Sequence, residues 1–290
     1  MPPEPDNTHN APDRTRAQSS VPGQSGPDGS GPDQWPRLCR VLVLMPTYNE
    51  RDNLPDLVRR VRAATPEVDI LVLDDNSPDG TGAVADELAA HDARVWALHR
   101  AGKEGLGKAY LDGFRWGLDR GYDALVEMDA DGSHRPEHLP QLLAAARNAD
   151  VVIGSRWVPG GEVINWPAHR KALSLGGNLY IRVLLGVTVR DATAGYRVYR
   201  ASALRSLDLA AVQSHGYCFQ VDLTWKAVRA GLRVVEVPIS FVERQVGDSK
   251  MSGSIIAESM LNVTGWGVRH RLDMVRSRWR DRTHWHRLDG

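Results

Sequence analysis

Apolar segments that end abruptly in polar residues recur along the first half of the chain. Val41–Met45 and Ile70–Leu73 are each followed by a polar loop and then by a helical pattern, and Leu125–Met128 ends in the same way. Strands that alternate with helices are typical of a parallel sheet, whose ligands bind beyond the carboxyl ends of the strands. The pattern therefore predicts an α/β fold with a binding site at that end of the sheet.

Two carboxylates, Asp129 and Asp131, follow the third of these segments. An extended backbone would place both side chains on one face, where they could share a divalent ion that prefers oxygen ligands. An isolated Asp-x-Asp is more often an acidic surface turn. The two upstream strands that also end in polar loops favour the metal site here.

Taken together and in order, the motifs resemble those of the inverting family 2 glycosyltransferases of the GT-A fold. Among these, they are most similar to the polyprenyl-phosphate (dolichyl-phosphate) mannose synthases. The resemblance spans roughly residues 40–251, and a joint match is more specific than any single motif. It is carried by Pro46–Glu50, Asp74–Thr81, Gly105–Gly107, Asp129–Asp131, Gly154–Arg156 and Gly247–Lys250. It implies a GT-A (Rossmann-like) mixed, mainly parallel sheet flanked by helices, with a C-terminal interfacial helical segment.

The resemblance also implies site residues. Negative charge develops on the diphosphate leaving group, and a divalent ion and cationic side chains neutralise it. The implied ligands of Mg²⁺ or Mn²⁺ are Asp129, Asp131 and Ser133, the last standing where many relatives carry glutamine. The implied catalytic set is Asp129, Asp131, Arg156, Arg244 and Lys250. The implied nucleotide-binding set is Pro46, Tyr48, Glu50, Asp74, Asp75 and Asp129. Contacts to the acceptor phosphate or the sugar are expected from Arg170, Asp191, Arg197 and Gln220.

A general base is not expected. Inverting transfer to a hydroxyl group requires one, whereas a phosphate monoester is already ionised near neutral pH. Asp191 is the chief alternative candidate, because a carboxylate after the metal motif serves as the base in relatives that use hydroxyl acceptors. We favour an organising contact between Asp191 and an arginine or the sugar.

The implied reaction is transfer of mannose from GDP-mannose to a polyprenyl (dolichyl-type) monophosphate, with inversion. Its product would be a lipid-linked donor for mannosylation and cell-envelope glycan synthesis. UDP-glucose is an alternative donor that the sequence separates poorly from GDP-mannose. A non-catalytic adaptor is a further alternative, but intact Asp131, Arg156 and Lys250 argue against it. The formal net charge of zero gives no reason to expect a nucleic-acid partner.

Composition divides the chain into three parts. Residues 1–36, rich in Pro, Gly, Ser, Asp and Asn, are expected to form a disordered tail. Residues 37–252 form the predicted GT-A domain. Residues 253–290 are expected to form an amphipathic helix and a basic tail, with seven Arg against three Asp after residue 266. We expect a cytoplasmic enzyme, peripheral at the inner face of the cell membrane, held by a membrane contact or a membrane-protein partner.

Two apolar segments each allow two interpretations. Ile255–Val268 could pack as a helix on the domain or lie in the membrane interface. The apolar residues of Leu173–Leu185 could belong to the core or could cradle a prenyl chain. No apolar run approaches the roughly 18 residues that a membrane-spanning helix requires. Two cysteines form neither a zinc site nor a disulfide framework, which fits a reducing cytoplasm.

Overall fold

The computed structural model describes residues 37–210, 212, 217–243, 260–269 and 271–272. The predicted tail at 1–36, the two cations Arg244 and Lys250, and most of the predicted C-terminal segment lie outside these residues.

A seven-stranded mixed sheet forms the centre of the described domain. Its strands run in the order β3-β2-β1-β4-β7-β5-β8, and only β7 is antiparallel to its neighbours. A separate parallel pair, β6 and β9, forms a second small sheet. The strands are β1 (Val41–Thr47), β2 (Asp69–Asp74), β3 (Val95–His99), β4 (Ala124–Glu127), β5 (Val151–Ser155), β6 (Glu162–Ile164), β7 (Arg197–Arg200), β8 (Val234–Pro238) and β9 (Ser240–Val242). The predicted mixed, mainly parallel sheet is confirmed.

Helices cover both faces of this sheet. They are α1 (Leu54–Ala64), α2 (Thr81–His91), α3 (Leu106–Asp119), α4 (Leu139–Ala145), α5 (Ala168–Leu185), α6 (Ala201–Ser206) and α7 (Tyr217–Arg229). Short 3₁₀ turns span Pro136–His138 and Ala146–Asn148, and residues 260–269 and 271–272 are also helical.

Successive side chains of each central strand point to opposite faces of the sheet, so the hydrophobic core has two parts, one on each face. Leu42 and Leu44 of β1 pack with α3, α6 and α7, whereas Val43 and Met45 pack with α1, α2 and α4. Successive side chains of a strand point to opposite faces, so a strand covered on both sides is apolar throughout. This explains the continuous apolar runs that made the central strands recognisable in the sequence.

Close packing of α3 on the sheet depends on Gly117. A Cβ at this position would lie 2.5 Å from Leu125 Cδ2 and 3.0 Å from Leu42 Cδ2. We expect Gly117→Ala to lower the free energy of unfolding by about 1–3 kcal/mol, because an overfilled core must shift its neighbours. The control is Gly177→Ala in α5, where an added Cβ meets nothing within 4 Å. Chemical denaturation that shows equal effects for both variants would contradict this packing.

The described C-terminal helix packs on the domain. Val263 is buried in the core, the Trp266 ring stacks on Trp225 at 5.9 Å, and Thr264 Oγ1 shares a hydrogen bond of 2.6 Å with Tyr180 OH. Apolar side chains elsewhere on this segment are nevertheless exposed: Met260, Leu261, Val268 and Leu272. The packing interpretation therefore holds for one side of this helix.

Helix α5 likewise has one buried face and one exposed apolar face. Ile181 and Leu185 belong to the core, whereas the other face exposes Leu173, Leu175, Leu179 and Val183. The core interpretation therefore holds for one face of α5, and contact of the other face with a prenyl chain stays a prediction.

Within the residues described, no helix combines the length and the hydropathy that crossing a bilayer requires.

Candidate active site

The two carboxylates Asp129 and Asp131 lie in a loop beyond the carboxyl end of β4. We expected an extended backbone through both residues, but β4 ends at Glu127 and the chain turns at Gly132, which has a φ of 76°. Asp131 Oδ1 accepts a hydrogen bond of 3.0 Å from the backbone N–H of Ser133, which stabilises the turn. Asp129 and Asp131 therefore do not share a strand face; they lie two residues apart in one loop beyond the strand.

Asp129 is held from two sides. Tyr110 of α3 donates a hydrogen bond of 2.9 Å to Asp129 Oδ1, and the backbone N–H of Asp129 donates to His134 Nδ1 at 3.0 Å. The buried His134 ring stacks on Tyr196. Gly195 approaches so closely that a Cβ there would lie 3.2 Å from His134 Cε1 and 3.5 Å from Asp129 Oδ2. No local pattern predicted the contact between Tyr110 and Asp129, because it depends on how α3 packs on the sheet.

Tyr110 therefore orients a predicted metal ligand. Burial, reinforced by the Asp129 charge, raises the pKa of Tyr110 well above its ordinary value, so its hydroxyl remains a donor. We expect Tyr110→Phe to weaken metal affinity or activity by about 10–100-fold, as is typical when a partner of a metal ligand is removed. The matched control is Tyr122→Phe, which removes a buried hydroxyl bound to Asp69. Equal losses of metal affinity in both variants would count against a specific role for Tyr110.

The predicted nucleotide-binding residues meet at the ends of β1 and β2. Thr47 and Asp74 are register partners, and Thr47 Oγ1 donates to Asp74 Oδ1 at 3.1 Å. The Ser77 hydroxyl donates to the same oxygen at 2.6 Å. Glu50 is buried and accepts a hydrogen bond of 2.8 Å from Asn53 Nδ2. Asp74 and Glu50 thus shape the two loops, and their contact with a nucleotide stays a prediction.

Asp75 belongs to a second group, built around Arg100. The buried Arg100 guanidinium pairs with Asp75 and also donates from Nε to Asp112 Oδ2 at 2.9 Å. Burial raises the pKa of Asp75, against the attraction of Arg100. Nearby, Lys103 Nζ lies 4.2 Å from the centre of the Tyr48 ring. Arg100 and Lys103 follow β3, and neither was among the predicted site residues.

Pro46 is partly buried at the end of β1, one residue before Thr47. Its contact with a nucleotide stays a prediction.

Arg156 and Asp191 form a buried ion pair. Arg156 Nε donates to Asp191 Oδ2 at 2.8 Å and Nη2 donates to Oδ1 at 2.6 Å; the backbone N–H of Arg156 adds a bond of 2.9 Å. The side chains are 7% and 0% exposed. Burial disfavours the charged carboxylate, but the charge and hydrogen bonds of Arg156 outweigh it and hold the pKa of Asp191 below its ordinary value. This is the arginine contact that we predicted for Asp191.

Three further residues support this pair. The Thr193 hydroxyl accepts from Arg156 Nη2 at 2.9 Å, and Asn178 Nδ2 of α5 donates to Thr193 Oγ1 at 3.1 Å. Glu236 of β8 accepts from the backbone N–H of Asp191 at 2.9 Å. The pair is therefore tied to both α5 and the sheet.

The prediction that Arg197 and Gln220 contact the acceptor is wrong for Arg197 and unsupported for Gln220. Arg197 is fully buried and donates to the backbone oxygens of Ala192, Ala194 and Gln220 and to the hydroxyls of Tyr199 and Thr224. Its donors are engaged inside the domain, and Gln220 is buried beside it. Across the sheet, Arg197 faces Glu127, whose burial raises its pKa to about 8 against the attraction of Arg197. Arg197 therefore has a structural role.

Aromatic rings surround the guanidinium of Arg156. Its Cζ lies 5.8, 5.5 and 5.4 Å from the ring centres of Trp157, Trp166 and Phe241. The Cζ atom of Arg170 lies 4.1 Å from the centre of the Trp166 ring, and its guanidinium forms an ion pair with Glu243. Arg156 and Arg170 thus share one cluster, which was not evident from their separation in the sequence.

The residues available for a metal are few. No group of three or more His, Cys, Asp or Glu that could hold a metal ion occurs in the described part of the chain. The oxygen atoms of Asp129 and Asp131 nevertheless suit Mg²⁺ or Mn²⁺, which commonly take one or two carboxylates and complete their coordination with water and substrate phosphates. Ser133 is buried, and the placement of Arg244 and Lys250 is not described.

Comparison with known proteins identifies relatives over most of the chain. The model of the family described as glycosyl transferase family 2 matches residues 42–208. An undecaprenyl-phosphate mannosyltransferase of Micrococcus luteus is 59% identical over 239 residues, covering 82% of this chain and 98% of that protein. A polyprenol monophosphomannose synthase of Mycolicibacterium smegmatis is 59% identical over 260 residues, covering 89% and 98% respectively.

Solved structures agree on the fold. The glucosyl-3-phosphoglycerate synthase of Mycobacterium tuberculosis, in complex with Mn²⁺, UDP-glucose and phosphoglyceric acid, is similar with a TM-score of 0.56 and 20% identity. The alignment covers 78% of this chain and 80% of that one. The expected GT-A architecture is thereby confirmed, and with the match of the family model and the two closely similar relatives, the chain belongs to glycosyl transferase family 2.

Proposed function

We propose that this enzyme transfers mannose from GDP-mannose to a polyprenyl monophosphate, with inversion at the anomeric carbon. The observation that carries the proposal is the 59% identity to two proteins named for mannose transfer to a polyprenyl phosphate, each aligned over 98% of its length. The residues of the site are consistent with this chemistry.

The acceptor phosphate is the nucleophile. One of its oxygens attacks the anomeric carbon of the sugar while the bond to the donor diphosphate breaks, and GDP leaves with that bonding pair. The acceptor is already ionised near neutral pH, so no side chain has to remove a proton. The pairing of Asp191 with Arg156 supports this view, because a carboxylate that is buried and bonded to an arginine is poorly placed to act as a base.

Charge compensation is the main task of the protein. Asp129 and Asp131 would hold Mg²⁺ or Mn²⁺, with Ser133 acting directly or through water. When bound, the ion neutralises charge that develops on the diphosphate. Tyr110 and His134 fix Asp129 before substrate binds, which lowers the cost of organising the site.

The donor is assigned as GDP-mannose rather than UDP-glucose, and the acceptor as a monophosphate. A panel of labelled nucleotide sugars, each offered with polyprenyl monophosphate or with the unphosphorylated polyprenol, tests both choices by organic extraction of the product. We expect label in the organic phase only with GDP-mannose and the monophosphate. Extraction of glucose from UDP-glucose at an equal rate would overturn the donor assignment. Lack of transfer with every donor would favour the adaptor alternative.

We place the enzyme in the cytoplasm, peripheral at the inner face of the cell membrane. The prenyl chain of its acceptor resides in the bilayer, and the exposed apolar side chains of α5 and of the segment at 260–272 suit contact with lipid or with a membrane-protein partner. Co-sedimentation with liposomes tests this placement; a protein that stays in the supernatant at every lipid composition would point to a protein partner instead.

A further inference from the structure

The loop that follows β1 is bonded through its backbone to the segment that follows β2. We call residues 48–53 the β1–α1 loop and residues 75–81, which end in the first residue of α2, the β2–α2 segment. Three successive N–H groups of the loop donate to side chains of the segment: Asn49 to Ser77 Oγ at 3.1 Å, Glu50 to Thr81 Oγ1 at 3.0 Å and Arg51 to Asp79 Oδ2 at 3.2 Å. The three accepting residues were not among the predicted site residues.

The two hydroxyl groups connect the loop to carboxylates. Ser77 Oγ accepts the N–H of Asn49 and donates to Asp74 Oδ1 at 2.6 Å. Thr81 Oγ1 accepts the N–H of Glu50 and donates to Asp79 Oδ1, also at 2.6 Å. Hydrogen bonds from a hydroxyl to a carboxylate are short and roughly twice as strong as those between neutral groups. Each hydroxyl is therefore held in the orientation in which it can accept from the loop.

Tyr48, a predicted nucleotide-binding residue, lies between two bonded neighbours. On one side, the backbone N–H of Asp75 donates to the carbonyl oxygen of Thr47 at 3.0 Å. On the other side, Asn49 adopts a φ of 59°, and its N–H is bonded to Ser77. Asparagine tolerates this left-handed conformation better than most residues. The backbone on both sides of Tyr48 is thus set by residues that follow β2.

The same bonds leave the β1–α1 loop poorly suited to bind phosphate through its backbone. Successive N–H groups in a loop can form a concavity that binds an anion. Here side-chain oxygens of the β2–α2 segment already engage the N–H groups of residues 49, 50 and 51. The arrangement favours a loop that presents the Tyr48 side chain to the nucleotide and leaves the diphosphate to the metal and the cationic side chains.

We propose that Ser77 and Thr81 are positioning residues for the donor nucleotide. Their hydroxyl groups hold the β1–α1 loop in its binding conformation before the nucleotide arrives, and they thereby set affinity more than the rate of transfer. Preorganisation raises affinity because the loop need not be ordered on binding. Thr81 is fully buried, so removal of its hydroxyl leaves the N–H of Glu50 without that acceptor and drives the loop to rearrange. The proposal rests on the proposed function for the identity of the nucleotide, GDP.

The experiment is a calorimetric titration of GDP with Mn²⁺ into the full-length protein. The test variant combines Ser77→Ala with Thr81→Val. The control combines Ser206→Ala with Thr65→Val, which remove hydroxyls that donate to backbone oxygens at the ends of α6 and α1. We expect the dissociation constant to rise about tenfold or more in the test variant only. Ser77→Thr combined with Thr81→Ser keeps both hydroxyls and should restore most of the affinity.

The titration separates positioning from a loss of folded protein. A misfolded fraction lowers the binding stoichiometry but leaves the dissociation constant of the folded molecules unchanged. A test variant with that behaviour, or a control that loses as much affinity, would overturn the proposal. Ser77→Ala alone, at a partly exposed position, repeats the test if the double variant does not fold. We expect its dissociation constant to rise about threefold, and an unchanged value would count equally against the proposal.

Steady-state kinetics gives a second measurement. We expect the KM for GDP-mannose to rise in the test variant, whereas kcat and the KM for the acceptor stay within about twofold of wild type. A lower kcat with an unchanged KM for GDP-mannose would contradict the positioning role. A wild-type protein that binds GDP, loses affinity in the test variant and yet transfers no mannose would instead reject the proposed function and leave the positioning role intact.

Discussion

Replacing Asp131 by asparagine is expected to lower the rate of mannose transfer by about a thousandfold or more. Asparagine keeps the size of the side chain and removes its charge, so the metal would be held by Asp129 without its second carboxylate. Charge compensation on the leaving group is worth several kcal/mol, and each 1.36 kcal/mol is a factor of about ten in rate.

The matched control is Asp119→Asn, which removes an exposed carboxylate at the end of α3. It should retain wild-type activity. Metal affinity, measured by Mn²⁺ titration in the presence of GDP, should fall with Asp131→Asn and not with the control. Transfer that survives both this substitution and EDTA would reject the metal assignment.

Replacing Asp191 by alanine is expected to have the largest effect on stability. The change leaves the guanidinium of Arg156, which is 7% exposed, without its carboxylate. Removing one partner of a buried ion pair typically costs about 3–5 kcal/mol, because the other charge stays buried. Denaturant unfolding should show a loss of this size, together with a loss of activity as Arg156 moves.

Asp56→Ala provides the control, since Asp56 pairs with Arg59 where both side chains are more than half exposed. Exposed pairs of this kind contribute at most about 1 kcal/mol. Similar effects of the two substitutions on the free energy of unfolding would contradict a large contribution of the buried Arg156–Asp191 pair to stability.

The Arg156–Asp191 pair makes the free energy of unfolding depend on pH, and its contribution decreases at low pH. Because the folded-state pKa of Asp191 is below its ordinary value, its contribution is fully present above the unfolded-state pKa of about 4 and is lost as the pH falls through the folded-state pKa. Wild-type protein should therefore lose stability below about pH 4. Asp191→Ala should show a shallower decline over this window, and an unchanged slope would contradict the predicted contribution.

The sequence predicted the central strands because of how they are buried. β1 and β2 are covered on both faces, so their residues are apolar throughout and their ends are marked by polar loops. β7 was missed because two of its four residues, Arg197 and Arg200, are arginines, so the strand does not form an apolar run. The insertion of β7 between β4 and β5 was therefore not predictable from local pattern.

Site residues that directly follow a strand could be predicted from the sequence. Residues that reach the site, or are kept from it, only through tertiary packing could not. Asp129 and Asp131 follow a strand, and the structure places them at the end of the sheet. Arg197 also lies next to a loop in the sequence, yet antiparallel pairing of β7 buries it completely. Tyr110 belongs to the apolar face of α3, and only the tertiary fold brings its hydroxyl to Asp129.

Transfer of mannose to a phosphate acceptor with inversion is tested most directly by the structure of the product. GDP-mannose labelled with ¹³C at the anomeric carbon is incubated with polyprenyl monophosphate and the purified protein, and the lipid product is analysed by ¹³C and ³¹P NMR. We predict a β-linked mannosyl phosphodiester, with one GDP released for each one formed. An α-linked product, or mannose attached to the unphosphorylated polyprenol, would contradict the account.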